Sequence, residues 1–117
     1  MSSAAIRLSA LAVAMIVAGC AVDPASHCEA RQKFWEHANG EDRADAERMA
    51  SLFIPSCTKL LSKPEAHDEL VCRDKCLADA RKDTPPLSRE AKDAYVAFSG
   101  CEAGCLGAKP GPQPVSP

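Results

Sequence analysis

The strongest constraint on this chain is a pair of repeats, Cys72-x3-Cys76 and Cys101-x3-Cys105. Residues four apart on an α-helix lie on one face, one turn above the other. Each repeat in a helical segment therefore presents two sulfurs in a column. Two such helices packed antiparallel can be joined by two rungs, Cys72–Cys105 outside and Cys76–Cys101 inside. The lengths allow it. A helix ending near residue 82 rises about 10 Å beyond Cys76, and one starting after Ser88 rises about 20 Å to reach Cys101. The extended Pro85-Pro86-Leu87 stretch covers the difference of about 9 Å, at about 3 Å per residue.

The remaining pattern is helical as well. Ser26-His27-Cys28-Glu29 reads as a capping box, opening a first helix from about His27 to Ala38, with Asn39-Gly40 as a left-handed stop. A second helix starts near Glu41 with acidic residues in its first turn, where the helix dipole favours them. Its stripe is Ala46, Met49, Ala50 and Phe53. Pro55 lacks an amide donor and should kink or end it, leaving a short continuation with Cys57, Leu60 and Leu61. Ser62-Lys63-Pro64-Glu65 is a second capping-box pattern. The third helix then runs to about Lys82, with Ala66, Leu70, Cys72, Cys76, Leu77 and Ala80 on one broad side. Thr84-Pro85-Pro86-Leu87 is a turn, and Ser88 caps a fourth helix. Ala91, Ala94, Tyr95, Phe98, Cys101 and Cys105 share one face of it. No segment alternates at period two, so the expected fold is all-α: a small disulfide-stapled bundle of about four helices ending in a helical hairpin. Residues 26–106 form the domain, and the proline-rich residues 107–117 are expected to be a disordered tail.

The paired CX3C motifs over residues 72–105 resemble the twin-CX3C helical hairpin of mitochondrial small translocase chaperones and plant hairpin-type antimicrobial peptides. The spacer of 24 residues between Cys76 and Cys101 is longer than those families usually have. The resemblance implies the disulfide ladder and carries no function with it. Cys28 and Cys57 are left to pair with each other, tying the first helix to the segment after Pro55. Six cysteines permit fifteen connectivities, and spacing favours this one without excluding the rest.

The seventh cysteine has a different setting. Arg7 supplies a lone positive charge, Leu8 to Val17 form an apolar run interrupted by Ser9, and Val17-Ala18-Gly19-Cys20 closes it. The run is shorter than the roughly 20 residues of a membrane span and has the regions of a secretory signal. Val17, Ala18, Gly19 and Cys20 resemble the lipobox of bacterial lipoprotein signal peptides. The resemblance implies cleavage after Gly19 and lipidation of Cys20. Residues 1–19 would be removed, and residues 20–25 would tether the domain. An odd cysteine in a secreted chain calls for an explanation, and lipid on Cys20 provides it. Stable anchoring takes more than one acyl chain, and this class usually carries three, palmitate-like. In the class an aspartate directly after the cysteine favours the inner membrane. Ala21 stands there, which implies the periplasmic face of a bacterial outer membrane.

Composition narrows the function. Without residues 1–19, 98 of the 117 residues remain, with thirteen basic against sixteen acidic side chains and a net charge of about −3. No Lys/Arg block is present, so nucleic acid is not an expected partner. Phe34, Trp35, Phe53, Tyr95 and Phe98 are the only aromatics. A core this poor in large side chains needs staples, and export to an oxidising compartment permits them. Phe34-Trp35 reads as core filler rather than a partner-binding anchor. His27 and His67 read as solvated positions near helix starts. Gly100 and Gly104 share a helix side and either allow close helix approach or weaken a terminus.

A CX3C spacing is compatible with structural zinc, but none of His27, His37 and His67 has an i+4 histidine partner. Thioredoxin-like chemistry places C-x-x-C at a helix N-terminus, whereas both motifs here sit deep within helices. No serine–histidine–acid order, phosphate loop or carboxylate pair is present. The expectation is a non-catalytic lipoprotein without metal or cofactor, held by its lipid and serving as a structural or adaptor component with a protein partner in the envelope. The alternatives are a periplasmic thiol- or metal-handling protein and an envelope inhibitor or immunity protein.

Overall fold

A computed structural model describes residues 22–106; Val17, Ala18, Gly19, Cys20 and the tail 107–117 lie outside the described residues. Four α-helices follow in order: α1 (Pro24–Asn39), α2 (Arg43–Leu61), α3 (His67–Asp79) and α4 (Arg89–Ala103), with a 3-10 turn at Pro64–Ala66. The domain is all-α, with no strand among the described residues. No helix there is long and apolar enough to cross a membrane. Packing centres on α1, which touches α2 most extensively and also α3 and α4.

Two of the expected starts are corrected. Helix α1 begins at Pro24, and its cap is Asp23, which accepts from the Ser26 amide at 2.9 Å and the Ser26 hydroxyl at 2.8 Å. Those hydrogen bonds hold the Asp23 carboxyl below its ordinary pKa. Pro24 fits the first helical position because its missing N–H is an orphan there anyway. Val22 also packs against the core, so residues 22–25 belong to the folded domain and not to a tether. Ser62 is likewise not a cap for α3. It closes α2, its hydroxyl donating to the Thr58 carbonyl at 2.5 Å.

Pro55 does not break α2, which runs through it. The carbonyl that loses its partner is that of Ser51, four residues back. Ser51 is exposed, which leaves that carbonyl within reach of water. Asp42 caps α2 through the Asp45 amide at 3.1 Å. Ala46 is buried and Phe53 half-buried, but Met49 is 39 % exposed at the edge of the expected stripe. Helix α3 ends at Asp79, short of Lys82, whose ammonium folds back onto the carbonyls of Leu77, Ala78 and Ala80. A cation suits that end of a helix.

The three disulfides are Cys28–Cys57, Cys72–Cys105 and Cys76–Cys101. The α3–α4 hairpin therefore carries both rungs in the antiparallel register set by the CX3C spacing. Its connection is pinned to α1. The His37 Nε2–H donates to the Thr84 carbonyl at 2.6 Å, and the Leu87 amide donates to the His37 carbonyl at 2.8 Å. Leu87 takes the left-handed φ of 59° in this turn. Ser88 caps α4 as expected, accepting from the Ala91 amide at 3.0 Å.

The core has two parts. Phe34, Cys76, Leu77, Phe98 and Cys105 form the first, with Tyr95, Ala94, Ala80 and Cys72 against it. Phe34, Phe98 and Tyr95 meet at tilted or edge-on angles with centroids 5.4 to 5.7 Å apart, the arrangement aromatic quadrupoles prefer. Phe34 is thus core filler. Cys28, Leu61 and Leu70 form the second part, with Val22, Ile54, Cys57 and Ala66.

Two glycines separate cleanly. Gly40 has φ −86°, so it is not the expected left-handed stop. A Cβ there would lie 2.7 Å from the Glu36 carbonyl oxygen, which explains the glycine. Gly100 has nothing within 4 Å of the Cβ position and allows no close helix approach. Gly40→Ala is expected to destabilise by about 1–2 kcal/mol through overpacking against backbone. Gly100→Ala is expected to stabilise by about 0.5–1 kcal/mol through helix propensity. Urea denaturation of the two variants checks both signs.

Candidate functional site

A cavity of about 500 Å³ opens where α1, α2, the 3-10 turn, α3 and the end of α4 converge. Phe53, Leu60, Leu61 and Leu106 supply apolar wall, Arg31, Arg73, Glu69 and Glu102 supply polar groups, and His27 borders the cavity with its side chain sealed from solvent. Leu60 and Leu106 are 60 % and 66 % exposed, so they form its rim.

Glu102 is the centre of the polar side. It is buried at 5 % exposure. Arg31 approaches it with Nε and Nη2, each 2.7 Å from one carboxylate oxygen. This bidentate fork is the strongest form of the pairing. Arg73 adds a contact at 3.1 Å and also holds Glu69 at 2.8 Å. Burial pushes the Glu102 carboxyl up, but the hydrogen bonds and charge of Arg31, with those of Arg73, outweigh it and hold the pKa below the ordinary value. Burial opposes the Arg31 charge in the same way, and Glu102 reverses the balance, so its pKa is raised. The Arg31 guanidinium also lies 4.9 Å from the Phe53 ring centroid and 5.6 Å from that of Phe98, where the ring faces attract a cation. Tyr95, beside it, has its pKa raised mainly by burial.

His27 is buried at 2 % exposure, contrary to the solvated position expected from its place near a helix start. The longer α1 turns it inward beside Cys28. Its Nδ1 lies 2.8 Å from Asp74 Oδ1. A carboxylate only accepts, so Nδ1–H donates. The buried Nε2 has no hydrogen-bond partner. An orphan of this kind costs about 1–3 kcal/mol. His67 is exposed, as read from the sequence.

The expected disulfide residues Cys28, Cys57, Cys72, Cys76, Cys101 and Cys105 are all brought together in the expected pairs. Cys101 sits on the exposed side of α4 while its partner Cys76 is buried. The sulfurs of Cys72, Cys76 and Cys105 lie within 4.8 Å of one another because two rungs run side by side. Metal binding by cysteine uses the thiolate, and disulfide sulfur offers none.

Arg31, Arg73 and Glu102 were not marked by any sequence motif. One signal existed: Glu102 is four residues after Phe98 and three before Cys105, so it falls on the buried stripe of α4. A carboxylate on an apolar stripe requires a buried cation. No family model, curated protein or solved structure matches the chain.

Proposed function

We propose that the chain is a small exported lipoprotein of the bacterial envelope, anchored through Cys20 and acting without catalysis as a membrane-held binding or structural component. One observation carries the reading. The six cysteines other than Cys20 pair among themselves in three disulfides, which leaves the lipobox-like Val17-Ala18-Gly19-Cys20 to account for the seventh. Disulfide-stapled domains of this size belong to oxidising compartments. Ala21 after Cys20 favours the outer membrane, on its periplasmic face.

The anchor would leave little slack. Val22 is already packed against the cluster of Cys28, Leu61 and Leu70. Two residues reach at most about 7 Å, so the domain would rest on the bilayer surface. The charged groups lining the cavity support a non-catalytic role, because Arg31, Arg73, Glu69 and Glu102 are engaged with one another. A thiol-handling role would need free thiolates, which these pairings consume.

Labelled palmitate fed to bacterial cells expressing the chain is expected to enter it, and Cys20→Ala is expected to abolish incorporation and release the protein to the soluble fraction. A Cys20→Ala chain that stays in the membrane would overturn the anchor. Non-reducing mass spectrometry of the mature protein is expected to show three disulfides that resist mild reductant.

A further inference from the structure

We propose that the mouth of the cavity, rimmed by Leu60 and Leu106, is the face that the domain lays on the bilayer, with both leucines entering the apolar side of the headgroup layer. This rests on the lipoprotein reading and adds to it the contact surface and the orientation of the domain.

Register places this mouth beside the anchor. Helices α1 and α2 pack along each other across a short turn, and the Cys28–Cys57 bridge fixes their level. Val22 stands six residues before Cys28, and Leu60 and Leu61 stand three and four after Cys57, so the start of α1 and the end of α2 share one end of the bundle. Val22 packs against the cluster that contains Leu61, with Cys57 and Ala66 against the same cluster, and those three residues line the cavity. Cys20 is two residues further out, within about 7 Å at full extension. The lipid and the rim leucines therefore meet a membrane from the same end. The other end of α1 is held to the α3–α4 connection, where the Leu87 amide donates to the His37 carbonyl. Pro24 to His37 is roughly 20 Å of helical rise, so Leu87, also exposed, lies at the far end.

The chemistry of the mouth suits lipid. Exposed apolar side chains grouped at one site mark contact with a protein or a membrane, and a surface within reach of an acylated Cys20 meets the membrane first. Arg31 and Arg73 are matched by Glu102 and Glu69, and Lys63 and Glu65 on the lining oppose each other in sign. The mouth thus brings no net charge into a region of falling dielectric, where an unmatched one would be costly. Two leucines are too little to hold a free protein on a bilayer. The anchor makes their insertion an intramolecular event at high effective concentration. With no charge surplus to satisfy, zwitterionic lipid is sufficient.

The test uses the mature chain, residues 20–117, with its Cys20 thiol coupled to maleimide-headgroup lipid in phosphatidylcholine nanodiscs. Chemical coupling makes the result independent of whether cells acylate Cys20, so a failed palmitate incorporation and a failed orientation are told apart. A nitroxide on the lipid acyl chains is expected to broaden the methyl NMR signals of Leu60 and Leu106 at least fivefold more than those of Leu87. Equal broadening at the two ends, or stronger broadening at Leu87, would overturn the proposal. Methyl contacts between two copies of the chain at Leu60 and Leu106, in place of the broadening, would overturn it as well. Leu60→Glu with Leu106→Glu changes exposed positions only. The double variant is expected to keep the native helical circular dichroism and to reduce the broadening at Ala66 at least threefold. Undiminished broadening there would equally sink the proposal.

Discussion

Glu102→Gln is expected to lower the unfolding free energy by about 3 kcal/mol at neutral pH, as breaking a buried ion pair does by stranding its partners. The carboxylate accepts both N–H groups of the Arg31 fork and a contact from Arg73. An amide keeps the shape but removes the charge and turns one acceptor into a donor. Arg31 and Arg73 then face each other across the site with Glu69 as the remaining counter-ion. Salt softens this little, because buried pairs are poorly screened. Adding Arg31→Met to Glu102→Gln is expected to recover part of the loss, since the stranded charge leaves with its side chain. Strict additivity of the two substitutions in urea denaturation would show that they do not act as a pair.

The same residue sets the acid limb of stability. Its folded pKa is depressed, so the unfolded state binds the proton more readily. Linkage then gives a contribution that is full above the ordinary glutamate pKa of about 4.3 and is lost as pH falls through the lower folded value. The gap between wild type and Glu102→Gln should therefore be widest near neutrality and shrink in acid. A gap that stays constant down to pH 2 would mean that Glu102 acts by shape alone.

The covalent frame was legible because a helix converts a spacing of four into a column of sulfurs, and two columns leave one antiparallel register. Helix ends were less so. Ser26 and Ser62 both resemble caps, but Asp23 outcompetes the first by accepting two bonds, and the second is taken up by the Thr58 carbonyl at the end of α2. Local pattern cannot rank such rivals, since the choice depends on how far the helix is extended by packing. Pro55 misled for a similar reason. Its penalty falls on a carbonyl, and whether that carbonyl meets water is a tertiary fact. The cavity was illegible because its polar groups come from α1, α3 and α4, far apart in sequence. Arg31 reads alone as a surface residue, and only the meeting with Glu102, Arg73 and the Phe53 ring gives it a role.

The disulfides are expected to differ in strength, and their nesting says how. Cys28→Ala with Cys57→Ala is expected to cost about 3–4 kcal/mol, the chain-entropy value for a loop of about 30 residues. The bridged residues are 29 apart, and no other bridge closes part of that loop. Cys72→Ala with Cys105→Ala opens a longer separation, 33, yet its effect is expected to be smaller, about 2.5 kcal/mol. The inner rung Cys76–Cys101 still joins the helices, so the outer one closes a ring of only about ten residues. Each variant also removes one fully buried sulfur, that of Cys28 or Cys105, so packing losses largely cancel in the comparison. Urea midpoints measured without reductant decide the order, and a larger loss from the outer rung would show that sequence separation, rather than nesting, governs how these bridges stabilise the fold.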